Sequence, residues 1–182
     1  QVDEVNHALA MLGAEDVAVH FSSRALLAEI LAHFGVPREH HSLTFLALDK
    51  RGKIDDNEVI GLLNAGGIDS AAVDRILKVT AISSFAEACQ IVPTGSSARK
   101  SVEQFLSLLR SYNMEKMIKF DISVIRGLSY YTGIVFEAFD IGRKFRAIFG
   151  GGRYDNLLSE IGVSSATAVG LGFGDVVVAE IL

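Results

Sequence analysis

The chain has 182 residues, 49% of them hydrophobic and 21% charged, enough for a compact body with a core of its own. With 17 basic against 22 acidic residues the net charge is −5, which excludes an overall positive field for gripping nucleic acid, so any such contact must be local. The single cysteine, Cys89, excludes an internal disulfide framework or a structural zinc cluster, and no apolar run approaches the roughly 20 residues that cross a bilayer, so a soluble protein in a reducing, cytoplasmic setting is expected.

In chain order, Val2, Val5, Leu9 and Leu12 recur at helical spacing up to Gly13, and residues 17–21 read as a short strand. Ser23 is a candidate N-cap for a helix over 24–34, with Leu26, Leu27, Ile30 and Leu31 on one side and Gly35 and Pro37 at its end. Short helices are expected at 43–48, 56–63, 70–77 and 84–90, then a longer one at 98–112. The last third changes character. Residues 118–125, 130–139 and 145–149 have the β-branched and aromatic content of strands, with a turn at 140–143, and an antiparallel sheet is the economical reading. Residues 154–161 look helical, 166–173 strand-like, and 174 onward opens another helix. Gln1 enters a periodic segment without an initiator Met and the chain stops inside the apolar run 176–182, so a piece of a larger protein is expected. Missing strand partners would then expose an apolar edge near 17–21 and favour self-association.

Two islands carry polar chemistry. Residues 126–137 read Arg-Gly-Leu-Ser-Tyr-Tyr-Thr-Gly-Ile-Val-Phe-Glu, and residues 150–155 read Gly-Gly-Gly-Arg-Tyr-Asp. Alternation along a strand would put Tyr131, Gly133, Val135 and Glu137 on one face and Tyr130, Thr132, Ile134 and Phe136 on the other, with Gly133 leaving a gap for a small ligand. Arg126, at a loop-to-strand junction, suits a carboxylate or phosphate because its guanidinium never loses its charge. The three glycines allow a sharp turn before Arg153 and Tyr154, with backbone N–H groups free for an anion. A third cluster, Gly170-Leu171-Gly172-Phe173-Gly174, joins a strand to a helix. The five histidines have no metal-ligand spacing, and no metal site is expected. On these residues alone the reading stops at an α/β domain with an anion and small-molecule site.

The two strings, in this order and spacing, resemble the histidine-specific motifs of histidyl-tRNA synthetase, a class II aminoacyl-tRNA synthetase. The resemblance runs along the whole chain: 1–35 and 116–182 are similar to part of the catalytic core, an antiparallel sheet flanked by helices, and 36–115 to a helical insertion domain. Class motifs 1 and 2 and the anticodon-binding domain have no counterpart here. The resemblance implies that histidine and ATP, accompanied by Mg²⁺, give histidyl-adenylate, and that the histidyl group passes to the 3′ end of tRNA(His), in a homodimeric parent with no bound prosthetic group. It implies that Arg126 is the catalytic arginine at the α-phosphate, that Tyr130, Tyr131, Tyr154 and Gly152 form the histidine pocket, and that Arg126, Gly172 and Gly174 lie against ATP. Glu137 receives no role. Ser129 stands where many members have Asp, and Val177 where an ATP-binding arginine usually ends motif 3. The isolated chain is therefore expected to be inactive. The alternative is a regulatory paralogue, the regulatory subunit of ATP phosphoribosyltransferase, which keeps such strings without ligase chemistry. A third is a synthetase-like sensor domain fused to a kinase.

Overall fold

The computed structural model describes residues 7, 17–51, 53–82, 84–127, 129–164 and 166–181. The helix expected at 2–12 and its Gly13 cap therefore lie outside the described residues, His7 excepted. Strand β1 (Val17–Ser23) leads directly into helix α1 (Arg24–His33). Ser23 caps α1 as expected: its backbone is extended and its hydroxyl accepts from the Leu26 amide at 3.2 Å. At the other end Gly35, at φ +78°, lets its own amide reach the Ala32 carbonyl and the Val36 amide reach the Leu31 carbonyl, which turns the chain out of the helix.

Five helices follow: α2 (Arg38–Lys50), α3 (Asp56–Ala65), α4 (Ser70–Val79), α5 (Phe85–Ile91) and α6 (Ser97–Ser111). Asp55, Asp69, Ser84 and Ser96 cap the last four through their side chains. The chain then enters β2 (Ile118–Phe120), β3 (Ile134–Asp140) and β4 (Phe149–Tyr154), passes through the single turn α7 (Leu157–Glu160) to β5 (Ala168–Phe173), and ends in α8 (Asp175–Ile181).

The five strands form one sheet in the order β2-β1-β3-β4-β5. It is mixed rather than wholly antiparallel. β1 and β2 run parallel because the long helical excursion returns the chain to the end of the sheet from which β1 began, while the other pairs are antiparallel. Segment 118–125 keeps only three strand residues, since the Asp121 carboxylate takes the Ser123 amide at 3.0 Å and turns the chain away.

The register assigns each face. Val19 and Phe21 of β1 pair with Ala138 and Phe136 of β3, and this side meets the helices: Val19, Phe21, Leu26, Ile30, Leu31, Ile76, Val79 and Val102 belong to one contiguous core. The Phe21 ring packs edge-on against Phe105 at 4.9 Å and Phe120 at 5.5 Å between centroids. The other side carries His20 and Ser22 of β1, Val135 and Glu137 of β3, Gly150, Gly152 and Tyr154 of β4, and Ala168, Gly170 and Gly172 of β5. Here the loop between β2 and β3 supplies the cover, through a second, smaller cluster of Val124, Tyr131 and Val135 with Tyr130, Phe139 and Tyr154 at its edge. β1 is thus interior to the sheet, with Val19 and Phe21 buried, and the open apolar edge expected at 17–21 is absent.

Candidate active site on a glycine platform

Arg126 lies in the loop before β3 with φ +54°, the left-handed region that a non-glycine residue adopts only when its surroundings require it. Its Nη1 donates to Glu137 Oε1 at 2.8 Å, and its guanidinium carbon stands 5.9 Å from the centre of the Tyr131 ring. Both partners are about one-fifth exposed, so the pair is shielded but reachable. Burial alone would weaken the Arg126 proton affinity, yet the hydrogen bond and charge of Glu137, helped by Tyr131, carry its pKa above the ordinary arginine value. Glu137, given no role from sequence, is therefore the direct partner of the arginine. It sits on the site face, opposite Gly150, and that position on β3 was the only signal available.

The three tyrosines converge. Ring centroids lie 4.7 Å apart for Tyr130 and Tyr131, 5.5 Å for Tyr130 and Tyr154, and 6.3 Å for Tyr131 and Tyr154. The expected split of Tyr130 and Tyr131 onto opposite faces does not occur, because β3 begins only at Ile134 and both tyrosines belong to the loop that precedes it. That loop is pinned by the second motif: the Thr132 amide donates to the Arg153 carbonyl at 2.9 Å, and the Thr132 hydroxyl donates to Asp155 Oδ2 at 2.8 Å. Arg153 Nε reaches Asp155 Oδ1 at 2.9 Å. The gap expected over Gly133 is filled, since a Cβ there would come within 3.1 Å of Arg153 Cδ. The Tyr130 phenol has its pKa raised by burial and by its contact with Tyr131, so it stays a hydroxyl, able to donate and accept, at neutral pH.

Gly150, Gly151 and Gly152 do not make a turn. They form the middle of β4, none has positive φ, and β4 pairs with β3 on one side and β5 on the other. Segment 145–149, expected as the strand, mostly precedes it. Lacking side chains, the triplet resembles a turn in sequence. Its amides therefore serve the ladder and are not a free anion nest. What the glycines supply is room. A Cβ on Gly150 would lie 2.6 Å from Arg126 Nη1, one on Gly152 would lie 2.8 Å from Tyr131 Cδ1, and one on Gly170 would lie 2.7 Å from the Tyr154 hydroxyl. Gly150 pairs with Gly172 and Gly152 with Gly170, so four glycines make a bare square of backbone beside the arginine and the phenols. Gly172 is exposed at its outer corner, and Gly174 follows it with its amide on the Ile148 carbonyl at 3.0 Å.

Next along the same face, His20 Nδ1 and Arg143 Nη2 lie 3.0 and 2.7 Å from Asp121 Oδ2. Burial would raise the Asp121 pKa, but hydrogen bonds from His20, Ser123 and Arg143 outweigh it and hold the carboxyl far below its usual range. There are two open hollows, of about 500 and 530 Å³: one along α2 and α3 at Lys50, Glu58 and Leu62, the other between β2 and the start of α5 at Lys119, Ser84 and Phe85, reaching His20 and Asp121. Neither is lined by the tyrosines. Among the described residues no group of three or more His, Cys, Asp or Glu is placed to hold a metal ion. No helix of these residues is long and apolar enough to cross a membrane.

Solved structures share this fold. A histidyl-tRNA synthetase from Nostoc sp. PCC 7120 superposes with a TM-score of 0.77 at 20% identity, over 100% of this chain and 48% of that one. A protein from Bacillus halodurans C, described as an ATP phosphoribosyltransferase regulatory subunit/histidyl-tRNA synthetase, gives 0.76 at 24% identity, again over 100% and 48%. The fold is that of a class II synthetase core, present in part. A family profile described as histidyl-tRNA synthetase matches residues 2–174, and the chain belongs to that family. The chloroplastic/mitochondrial histidine–tRNA ligase of Arabidopsis thaliana is 41% identical over 169 residues, 93% of this chain but 35% of its own length. The chain thus spans about a third of that relative.

Proposed function

We propose that this chain is the histidine- and adenylate-handling part of a histidine–tRNA ligase. The observation that carries the reading is the convergence of Arg126 with Tyr130, Tyr131 and Tyr154 at the rim of the glycine square. On this reading the three phenols and the Gly152 backbone line the place that the imidazole of histidine takes. Neutral hydroxyls can pair with both ring nitrogens, and an isosteric ring without them would leave those groups unpaired. The histidine carboxylate then attacks the α-phosphorus of ATP: an O–P bond forms, the bond to the β-phosphate oxygen breaks, and pyrophosphate leaves. Arg126 stabilises the charge gathered on the α-phosphate, beside Mg²⁺ brought with ATP. Gly172 and Gly174 let the nucleotide lie close to the backbone.

In the parent protein, a cytoplasmic homodimer on this reading, tRNA(His) accepts the histidyl group at its 3′ end. Residues 1–35 and 116–182 are its partial core and 36–115 its helical insertion. The isolated chain lacks most of the length of its relatives and is inactive on this reading. Val177 favours a second reading, the regulatory paralogue, since its side chain packs against the core where an ATP-binding arginine would stand.

Calorimetric titration tests the proposal. Histidine should bind the 182-residue chain. Tyr131→Phe, which keeps the packing of this buried ring, should weaken binding by about tenfold. Arg126→Ala should leave histidine affinity nearly unchanged but weaken the sulfamoyl analogue of histidyl-adenylate by about a hundredfold. Equal affinity of all three proteins for the analogue would refute the assignment. Binding of histidine with no preference for the analogue would select the regulatory reading, and histidine-dependent ATP–pyrophosphate exchange at the rate of an intact ligase would overturn the claim of inactivity.

A further inference from the structure

Arg24 belongs to neither motif. It occupies the first position of α1, where a cation faces the positive end of the helix dipole, and it is 8% exposed. Both features cost free energy, and the structure shows where the compensation lies. Its Nη1 donates to the Arg126 carbonyl at 3.0 Å and to the Ile125 carbonyl at 3.5 Å, while its backbone amide donates to the Gly133 carbonyl at 3.0 Å. One residue thus holds both ends of the loop that carries Arg126, Tyr130 and Tyr131. The guanidinium carbon stands over the Phe45 ring of α2, 4.0 Å from its centre. Asp49, one turn further along α2, offsets part of the burial penalty and packs under Gly127, where a Cβ would lie 2.9 Å from its Oδ2.

We infer that Arg24 is a positioning residue for Arg126: it fixes the left-handed backbone at 126, and so aims the second guanidinium at Glu137 and the glycine square. Resting on the ligase reading, this extends the site to a residue that touches no substrate, and to α2 through Phe45 and Asp49. A lysine cannot replace it, because a compact ammonium does not offer the broad guanidinium that meets two carbonyls on one side and the Phe45 ring on the other.

The test is a double-mutant cycle on the 182-residue chain, with Arg24→Lys, Arg126→Ala and the double variant titrated with the sulfamoyl analogue, and with guanidinium ¹⁵N–¹H resonances recorded without ligand. Arg24→Lys should weaken the analogue about tenfold and histidine less than about twofold, and should change analogue affinity less than about twofold once Arg126 is already alanine. Without ligand it should shift the Arg126 resonances, which are assigned by their loss in Arg126→Ala. Losses that multiply in full, or Arg126 resonances that stay put, overturn the inference. If the chain binds no analogue the ligase reading fails, and the ligand-free resonances still decide the role of Arg24. Should Arg24→Lys not fold, Phe45→Leu removes only the stacking surface, and Arg126 resonances unmoved by it count against the inference.

Discussion

Position 126 illustrates how a single residue is forced. A left-handed arginine costs about 1–2 kcal/mol of backbone energy, and here it is held by donors from Arg24 behind and by Glu137 in front. Asp121 is a second such residue, and its carboxylate has a pH signature. Burial opposes its ionisation, but His20, Ser123 and Arg143 stabilise the anion more, so the folded pKa lies below the unfolded value. A depressed carboxyl pKa contributes stability that is complete above the unfolded pKa, near 4, and lost as pH falls through the folded one. Denaturant unfolding should therefore show stability declining below about pH 5, by on the order of 2 kcal/mol from this group, and Asp121→Asn should remove that part of the slope. An unchanged slope in the variant would place the acid sensitivity elsewhere. Arg126 and the tyrosines were legible in the sequence because their strings are local. Their partners were not: Glu137 and Arg24 meet Arg126 only through the turn of a loop and a separation of 102 positions between 24 and 126.

At the scale of elements, most helices were read to within two residues of their ends, since caps such as Ser23 and stops such as Gly35 are written within a few residues, but the helix expected at 43–48 runs over Arg38–Lys50, and of 154–161 only Leu157–Glu160 is helical because Tyr154 still belongs to β4. Strands were read less well around the site. The aromatic run at 130–133 suggests a strand but is bound as a loop by Arg153 and Arg24, while the glycine triplet suggests a turn but is a strand, because what requires glycine is the crowding above the sheet. This crowding differs from glycine to glycine and allows two roles to be separated. A Cβ on Gly151 would collide with the Gly170 carbonyl on the core side, so Gly151→Ala should destabilise the chain by on the order of 3 kcal/mol. A Cβ on Gly172 meets nothing nearer than the Gly150 carbonyl oxygen at 3.9 Å, so Gly172→Ala should leave stability within about 0.5 kcal/mol. It would nonetheless raise the floor where a nucleotide would lie, and should weaken the adenylate analogue by about tenfold. Thermal melts paired with titration separate the two outcomes, and undiminished affinity in Gly172→Ala would take β5 out of the proposed ATP site.

Across the whole molecule the sheet is asymmetric. Its helical face is sealed by one core that runs from β1 through α1 to α6, whereas among the described residues the other face is covered only where those of the loop between β2 and β3 fold over β1 and β3. Towards β5 that cover ends. β5 pairs with β4 alone among the described residues, and Ile161, Val163, Val169, Phe173 and Val176, all more than half exposed, fall between positions 161 and 176. An apolar strand with an open row of backbone donors and acceptors is a template for another strand, and the nearest supply is a second copy of the chain. Self-association was expected from the sequence, but at β1; the topology moves it to the opposite edge, because β2 closes the flank of β1 while β5 has no such neighbour among the described residues. The chain should therefore form dimers or larger species with rising concentration in sedimentation experiments. Val169→Lys, at a site 61% exposed on β5, should return it towards the monomer by placing a charge where two strands would meet, and should leave the melting temperature within a few degrees. A lysine at Leu46, 48% exposed on α2, provides the contrast: it adds the same charge far from the open edge and should leave association unchanged. Equal dispersal by both variants would show that net charge, and not the free edge of the sheet, governs association.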